Sequence, residues 1–342
     1  MQTGNALSCE YLIVGGGLAG CALGFLLRKA GADVLILEWL DAQKKDKLCA
    51  GLTNDFGREQ FESVFGGKVW ERLSPRTVPY LRERYGEKEL CSLMAFYGIP
   101  RKAMDDAALA CYLEAGGRLI DRATVTAIDE AAGLARCKRF TDGEFFSVAF
   151  SRIIGADGAL SVVRRLTTGT RQSTGFALEA PAPLLGDDAI FSYFPRIVGY
   201  GWYLPRGKDA TVGSGRFDDT EQAVKNCREK LTDLCREIGI EPTGKIRGAY
   251  LPTGRDVLLS TGERTYFVGD AAGLIYNVWG GGIQYALLSA RLLGEAFLGG
   301  DPYEEAMRPY VGTILDRARN ARKIQFLMDF RIATKGKTIE KR

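Results

Sequence analysis

The chain opens with a short apolar run, Glu10-Tyr-Leu-Ile-Val14, that stops at Gly15, as a buried strand does. Residues 21–31 return apolar positions at helical spacing and end at Gly31, and Asp33-Val-Leu-Ile-Leu37 reads as a second buried strand ending at Glu38. Three strands follow within 118–150. Runs near 173–180, 188–194, 199–205 and 209–216 alternate with period two and predict one sheet, covered by a helix from Asp219 to Ile238 between Asp218 and Gly239. Residues 152–154 and 266–268 are short strands that each deliver an acid to a turn. A helix runs from Ile283 to about Leu298. Residues 303–330 form a helical region with Pro309 near its start and an apolar stripe of Val311, Ile314, Ala318, Ala321, Ile324 and Met328.

The first strand, turn, helix and second strand contain GxGxxG at Gly15, Gly17 and Gly20, with an acid, Glu38, about twenty residues on. That is a dinucleotide fingerprint in its required context. Gly15 permits the tight turn, Gly17 lets a pyrophosphate approach the backbone at the helix N-terminus, and Gly20 lets helix pack on strand. Ala19 belongs to the same loop. Glu38 is placed to accept the ribose hydroxyls. The fingerprint alone does not choose between NAD and FAD.

Composition narrows the chemistry. The 342 residues are 46% hydrophobic and 26% charged, with no apolar run of eighteen, so no helix is expected to span a bilayer. The N-terminus enters a strand with no basic region or cleavage site ahead of it, and a cytoplasmic location is the expectation. Eight cysteines stand singly, without metal-ligand spacing, and read as reduced thiols. No histidine is present, which removes His-based triads and the usual zinc and haem ligands, and no metal is expected. Any proton must come from Tyr, Cys, Asp, Glu, Lys or water. From Arg317 onward the charge is +7, which leaves the preceding residues near −3 against a total of +4. A near-neutral body with a basic tail is not a nucleic-acid binder.

Two later segments decide the cofactor. Arg152-Ile-Ile-Gly-Ala-Asp157-Gly158, followed by Ser161 and Arg164, and Tyr266-Phe-Val-Gly-Asp270-Ala-Ala-Gly273 resemble the DG and GD motifs of the p-hydroxybenzoate-hydroxylase-like FAD superfamily. The resemblance implies FAD, with Asp270 on its ribityl chain and Asp157 among the contacts. Gly280-Gly-Gly282-Ile283 opens a helix whose N–H groups would face the flavin. The implied fold is α/β: a Rossmann-type FAD-binding domain of 1–75, 99–170 and 256–300, interleaved with a mixed α+β substrate domain of 76–98 and 171–255. A C-terminal helical region, 301–342, carries the basic tail.

Lys47-Leu-Cys49-Ala50-Gly51 and Tyr200-Gly-Trp202-Tyr-Leu204-Pro205 resemble segments of the geranylgeranyl reductase family, which has a Cys-Gly segment after the fingerprint and a Y-x-W-x-F-P motif. Leu204 stands where that family has Phe, and Ala50 where it often has Gly. The family places an FAD-contacting arginine at Arg101. Residues about 10–298 share the resemblance. It implies an FAD-dependent oxidoreductase that reduces carbon–carbon double bonds of a prenyl or related apolar substrate by hydride transfer. Cys49 is then a proton source or substrate contact, and Tyr200 and Trp202 stabilise developing positive charge. The electron donor is a reduced nicotinamide or a ferredoxin-like protein. Flavin-dependent halogenases and monooxygenases share the fold, and lycopene cyclases use it without net redox chemistry. The basic C-terminal region is expected to meet an anionic membrane surface or an acidic donor protein.

Overall fold

The computed structural model describes residues 7–195, 197–217 and 222–339. The N-terminal runs become β1 (Leu7–Val14), α1 (Leu18–Lys29) and β2 (Val34–Leu37), followed by β3 (Leu52–Asn54), α2 (Asp55–Phe65) and α3 (Gly67–Arg72). A long hairpin, β4 (Arg76–Tyr85) and β5 (Lys88–Gly98), leads to α4 (Arg101–Glu114). Next come β6 (Arg118–Ile120), β7 (Ala123–Asp129), β8 (Leu134–Arg139), β9 (Phe145–Gly155) and α5 (Val162–Thr168). The period-two runs form β10 (Thr174–Ala182), β11 (Ala189–Tyr193), β12 (Gly199–Arg206) and β13 (Asp209–Arg216), then α6 (Ala223–Ile238) and β14 (Arg247–Pro252). The expected start of α6 at Asp219, and its flank Asp218, lie outside the described residues. Its end at Gly239, with φ +70°, is as the sequence predicts. β15 (Thr265–Phe267), α7 (Ile283–Phe297), α8 (Tyr303–Arg319), α9 (Ala321–Lys335) and β16 (Lys337–Thr338) complete the chain.

Two sheets result. In the first, β6, β2, β1 and β9 run parallel, and β9 shares its far edge between the antiparallel β8–β7 hairpin and the parallel β15. α1 packs against α4 and α7 and encloses the main core, which includes Leu12, Ile13, Leu23, Ile36 and Leu288. In the second sheet the order is β14-β10-β13-β12-β11-β4-β5-β16, antiparallel except at β11–β4. α6 covers one face of it through Leu231, Leu234 and Cys235 against Tyr203 and Val212. The other face turns toward the first sheet. The chain is thus a mixed α/β protein with a helical C-terminal region.

Two short strands were not foreseen. β3, expected with the nucleotide-binding segments, pairs with β5 and ties the loop after β2 into the second sheet. β16, from the basic tail, also pairs with β5 and closes its edge. The apolar stripe of 311–328 is turned inward: Ile314, Ala318 and Ala321 are buried, and Val311, Ile324 and Met328 are half-buried. Five of the eight cysteines are buried, as scattered core residues should be.

Candidate functional site

A cavity of about 320 Å³ lies between the two sheets. Its first wall is the glycine turn after β1. Gly15 adopts φ +108°, and a Cβ there would stand 2.4 Å from Ala156 O; a Cβ on Gly20 would stand 1.9 Å from Gly15 O. These two glycines are required by the protein's own backbone. Gly17 is different, since no atom lies within 4 Å of where its Cβ would be. With Leu18 and Ala19 it lines the cavity at the N-terminus of α1, which has no side-chain cap. A turn whose free N–H groups face open space fits a pyrophosphate.

Glu38 is buried at the end of β2. Its Oε2 accepts from Gly16 N at 2.9 Å and its Oε1 from Leu40 N at 2.9 Å, which fixes the carboxylate beside the turn. Lys45 Nζ lies 3.1 Å from Oε2 and also donates to Gly16 O. Sequence reasoning missed Lys45: nothing local marks one lysine of that loop above its neighbours.

The loop 47–54 forms the second wall. Gly51, with φ +74°, lies so close to Ile99 that a Cβ would stand 1.9 Å from its carbonyl oxygen, and Ile99 N donates back to Gly51 O at 2.8 Å. This contact sets Cys49 and Ala50 on the cavity beside Arg101. Arg101 is buried at the first turn of α4, with Nε donating to Asp105 Oδ1 at 3.1 Å. Burial opposes its charge, but Asp105, with Cys49 and Asp270 nearby, more than offsets that and holds the guanidinium protonated.

Asp270 sits in a single 3-10 turn, Gly269–Ala272. Its Oδ2 accepts from Lys47 Nζ at 2.9 Å, and a Cβ on Gly282 would lie 3.2 Å from Oδ1. Burial pushes its carboxyl up, yet Lys47 and Arg101 outweigh it, and the group stays below the ordinary carboxylate range. Gly282 and Ile283 line the cavity at the start of α7, which also lacks a side-chain cap. Behind Asp270, Gln172 Nε2 donates to its carbonyl oxygen at 2.7 Å, and Arg164 reaches Asp256 O and Ala271 O.

Asp157 stands between two residues of the cavity wall and at the start of α5. Ala156 and Gly158 line the cavity, but the Asp157 carboxylate accepts from Val162 N at 2.7 Å and Val163 N at 3.1 Å. Together with Ser161 Oγ, which accepts from Arg164 N, it caps α5. That cap uses Oδ2, while Oδ1 is buried without a hydrogen-bond partner.

The third wall is the inner face of the second sheet. Alternation along β12 turns Tyr200, Trp202 and Leu204 to the cavity and Tyr203 to α6, as the sequence predicts. Tyr200 packs at a tilt against Phe191 (centroids 4.5 Å) and Trp202 (5.7 Å), and its hydroxyl donates to Trp279 O. Burial drives its phenol pKa up, so it stays neutral. Trp202 lies flat on β13: a Cβ on Gly213 would meet its Cζ2 at 2.4 Å, and one on Gly215 its Cζ3 at 3.4 Å. The pairing Glu179↔Gly213↔Trp202 carries the row on to Glu179 of β10, a cavity carboxyl that sequence reasoning also missed. The arrangement joins a dinucleotide cradle to an aromatic, largely apolar chamber.

The FAD binding domain model matches residues 8–180 of the chain. A geranylgeranyl diphosphate reductase of Rhodobacter capsulatus is 33% identical over 174 residues, 45% of this chain and 41% of that one. A menaquinone reductase of Mycobacterium tuberculosis is 27% identical over 315 residues, covering 84% and 76% of the two chains. Among solved structures, a geranylgeranyl bacteriochlorophyll reductase-like protein of Thermoplasma acidophilum superposes with a TM-score of 0.73 at 20% identity, over 96% and 88% of the chains. A flavin-dependent halogenase superposes with a TM-score of 0.70 at 19% identity, over 92% and 63%. These two likenesses are of fold.

Proposed function

This chain belongs to the family of FAD binding domains, and we propose that it is a reductase of carbon–carbon double bonds in a prenyl or related apolar substrate. FAD is its cofactor and oxidoreduction its chemistry. The cradle of Gly15, Gly17, Ala19 and Gly20 would hold the pyrophosphate, Glu38 the ribose, and Asp270 the ribityl chain. Cys49, Ala50, Gly51, Arg101, Gly282 and Ile283 would border the flavin. Reduced FAD, when bound, supplies a hydride.

The observation that carries this reading is that the cradle and the Tyr200–Trp202 face border one cavity with an apolar floor. An electron-rich double bond does not accept a hydride unless a proton arrives first or with it. Tyr200 and Trp202 present ring faces that stabilise the positive charge this creates. Phe191, Phe217 and Trp279 keep water from that charge. Cys49, on the cavity wall, would serve as a substrate contact or proton source. The electrons come from a reduced nicotinamide or a ferredoxin-like protein. Similarity to the Rhodobacter and Mycobacterium reductases supports the class.

The rival on this fold is an oxygen-dependent halogenase or monooxygenase. The amine nearest the chamber, Lys47, is paired with Asp270, which favours a role in the cradle. Chemically reduced enzyme under anaerobic conditions should add two hydrogens to each bond of a prenyl alcohol that it reduces. Turnover that requires oxygen and inserts halide or oxygen would overturn the proposal. We further propose that the chain docks on an anionic membrane surface, where such a substrate dissolves. The exposed aromatic face of α9 and the basic residues around it support this.

A further inference from the structure

We propose that Glu179, buried on the wall of this cavity, is its acid, placed to give its proton to a substrate lying on the Trp202 face. This rests on the double-bond reading above for the identity of the acceptor, not for the acid itself. Glu179 is 4% exposed, on the inner face of β10, and it lines the cavity together with Ala177 and Trp202. Its register neighbours are Gly213 on one side and Arg247 on the other. Because Gly213 has no side chain, nothing on β13 stands between Glu179 and the indole that rests on that strand.

The cations around it have closer partners elsewhere. Arg206, on β12, comes within 3.8 Å of Oε1, beyond hydrogen-bond reach. Its Nε is held by Asp209 at 3.1 Å and its Nη1 by Cys49 O at 3.2 Å. Arg247, on β14, is paired with Asp46 at 2.8 Å. The Thr211 hydroxyl, on β13, donates to Ala180 O. Arg206 meets the carboxylate only as a long ion pair, so burial dominates and pushes the acid up to about 7, against the pull of Arg206, Thr211 and Arg247 and with a small push from Asp46. A carboxyl neutral at working pH can act as an acid where a histidine would elsewhere. This chain has no histidine.

In the step, the π bond takes the Glu179 proton at one carbon and the hydride of reduced FAD at the other. Two C–H bonds form, the substrate gains two electrons, and Glu179 is left as a carboxylate. Solvent restores its proton from the side where Arg206, Arg247 and Asp46 lie. The two electrons are replaced by the external donor, a reduced nicotinamide or iron–sulfur protein.

Two measurements on the FAD-loaded enzyme test this. The first needs no substrate: infrared difference spectra over pH 5–9 should show a protonated carboxyl titrating near 7, lost in Glu179→Gln. The missing histidine keeps that window clear of imidazole, and the raised Asp329 carboxyl, at about 6, is common to both proteins. Absence of the Glu179 signal overturns the proposal. The second uses geranylgeraniol with dithionite-reduced enzyme. Wild-type turnover should fall as pH rises through about 7. Glu179→Gln should lose about 100-fold in kcat, with little change in KM or in flavin absorbance, and Glu179→Asp should restore part of it with a shifted profile. Turnover of Glu179→Gln with the wild-type profile overturns the donor role. A wild type that titrates as described but reduces no prenyl alcohol overturns the double-bond reading and leaves the buried acid standing.

Discussion

Lys47 Nζ lies 2.9 Å from Asp270 Oδ2, joining residues 223 positions apart across the mouth of the cradle. The pair holds loop 47–54 against the turn before α7 and keeps Asp270 ionised. Asp270→Ala should therefore purify with little FAD while its fold persists. Lys47→Met should weaken FAD retention less, because Arg101 still faces Asp270. Flavin absorbance per chain after gel filtration measures both.

The three fingerprint glycines should separate into two kinds. Gly20→Ala drives a Cβ into Gly15 O and should cost about 1–3 kcal/mol of stability. Gly17→Ala meets no protein atom within 4 Å and should leave the melting of the FAD-free protein nearly unchanged. It should nonetheless abolish flavin binding, because that open space is where a ligand approaches. Equal loss of stability in both variants would refute the cradle assignment.

How much of this was legible in the sequence follows from the range of each signal. The fingerprint and the alternation on β12 are local, so Gly15, Gly17 and Gly20 and the shared face of Tyr200 and Trp202 could be placed from pattern, while Asp270 and the use of that face came with the family resemblance. Asp157 was named from the same kind of resemblance, and its cap on the Val162 and Val163 N–H groups depends on the placement of the following helix, which spacing does not show. Glu179 was a single acid in an apolar strand. Its meaning depends on the β10–β13–β12 register, which joins residues from three strands and leaves no local trace. β3 and β16 are three and two residues long, too short for periodicity to reveal.

Tyr200 tests the aromatic wall. Tyr200→Phe removes the hydroxyl that donates to Trp279 O but keeps the ring, and should cost about 1 kcal/mol in urea unfolding with turnover nearly retained. Tyr200→Leu removes the ring face as well. If that face stabilises a developing cation, kcat should fall roughly 3- to 30-fold beyond the Phe variant, the equivalent of about 0.5–2 kcal/mol.

Glu179 also leaves a mark on stability. Its folded value, about 7, lies above the 4.5 of an ordinary glutamate. Between these values the unfolded chain has released the proton and the folded chain has not, so unfolding becomes more favourable as pH rises. Wild-type stability relative to Glu179→Gln should decline from about pH 4.5 to 7 and level off above. Paired urea titrations at several pH values read this difference directly, and a flat difference would show that the carboxylate is not disfavoured by burial.

The last prediction concerns α9. Lys323, Phe326, Leu327 and Phe330 recur at helical spacing on its outer face, and Phe326 and Phe330 are 65% and 58% exposed with their rings stacked at 6.5 Å. Arg322, Lys323, Lys335 and Lys337 are exposed around them. The apolar stripe of 311–328 packs inward, so this outer face is one that the sequence pattern did not single out. Basic side chains near an anionic leaflet contribute about 1 kcal/mol each, screened within a Debye length, and inserted aromatic rings add a salt-independent part. Co-sedimentation with vesicles containing phosphatidylserine should therefore exceed that with neutral vesicles and fall with salt. The triple variant Phe326→Ser, Leu327→Ser and Phe330→Ser should lose the salt-resistant remainder while keeping its bound flavin, because none of the three contributes to either sheet or to the cavity. Unchanged binding of that variant to both kinds of vesicle would sink the assignment of this face.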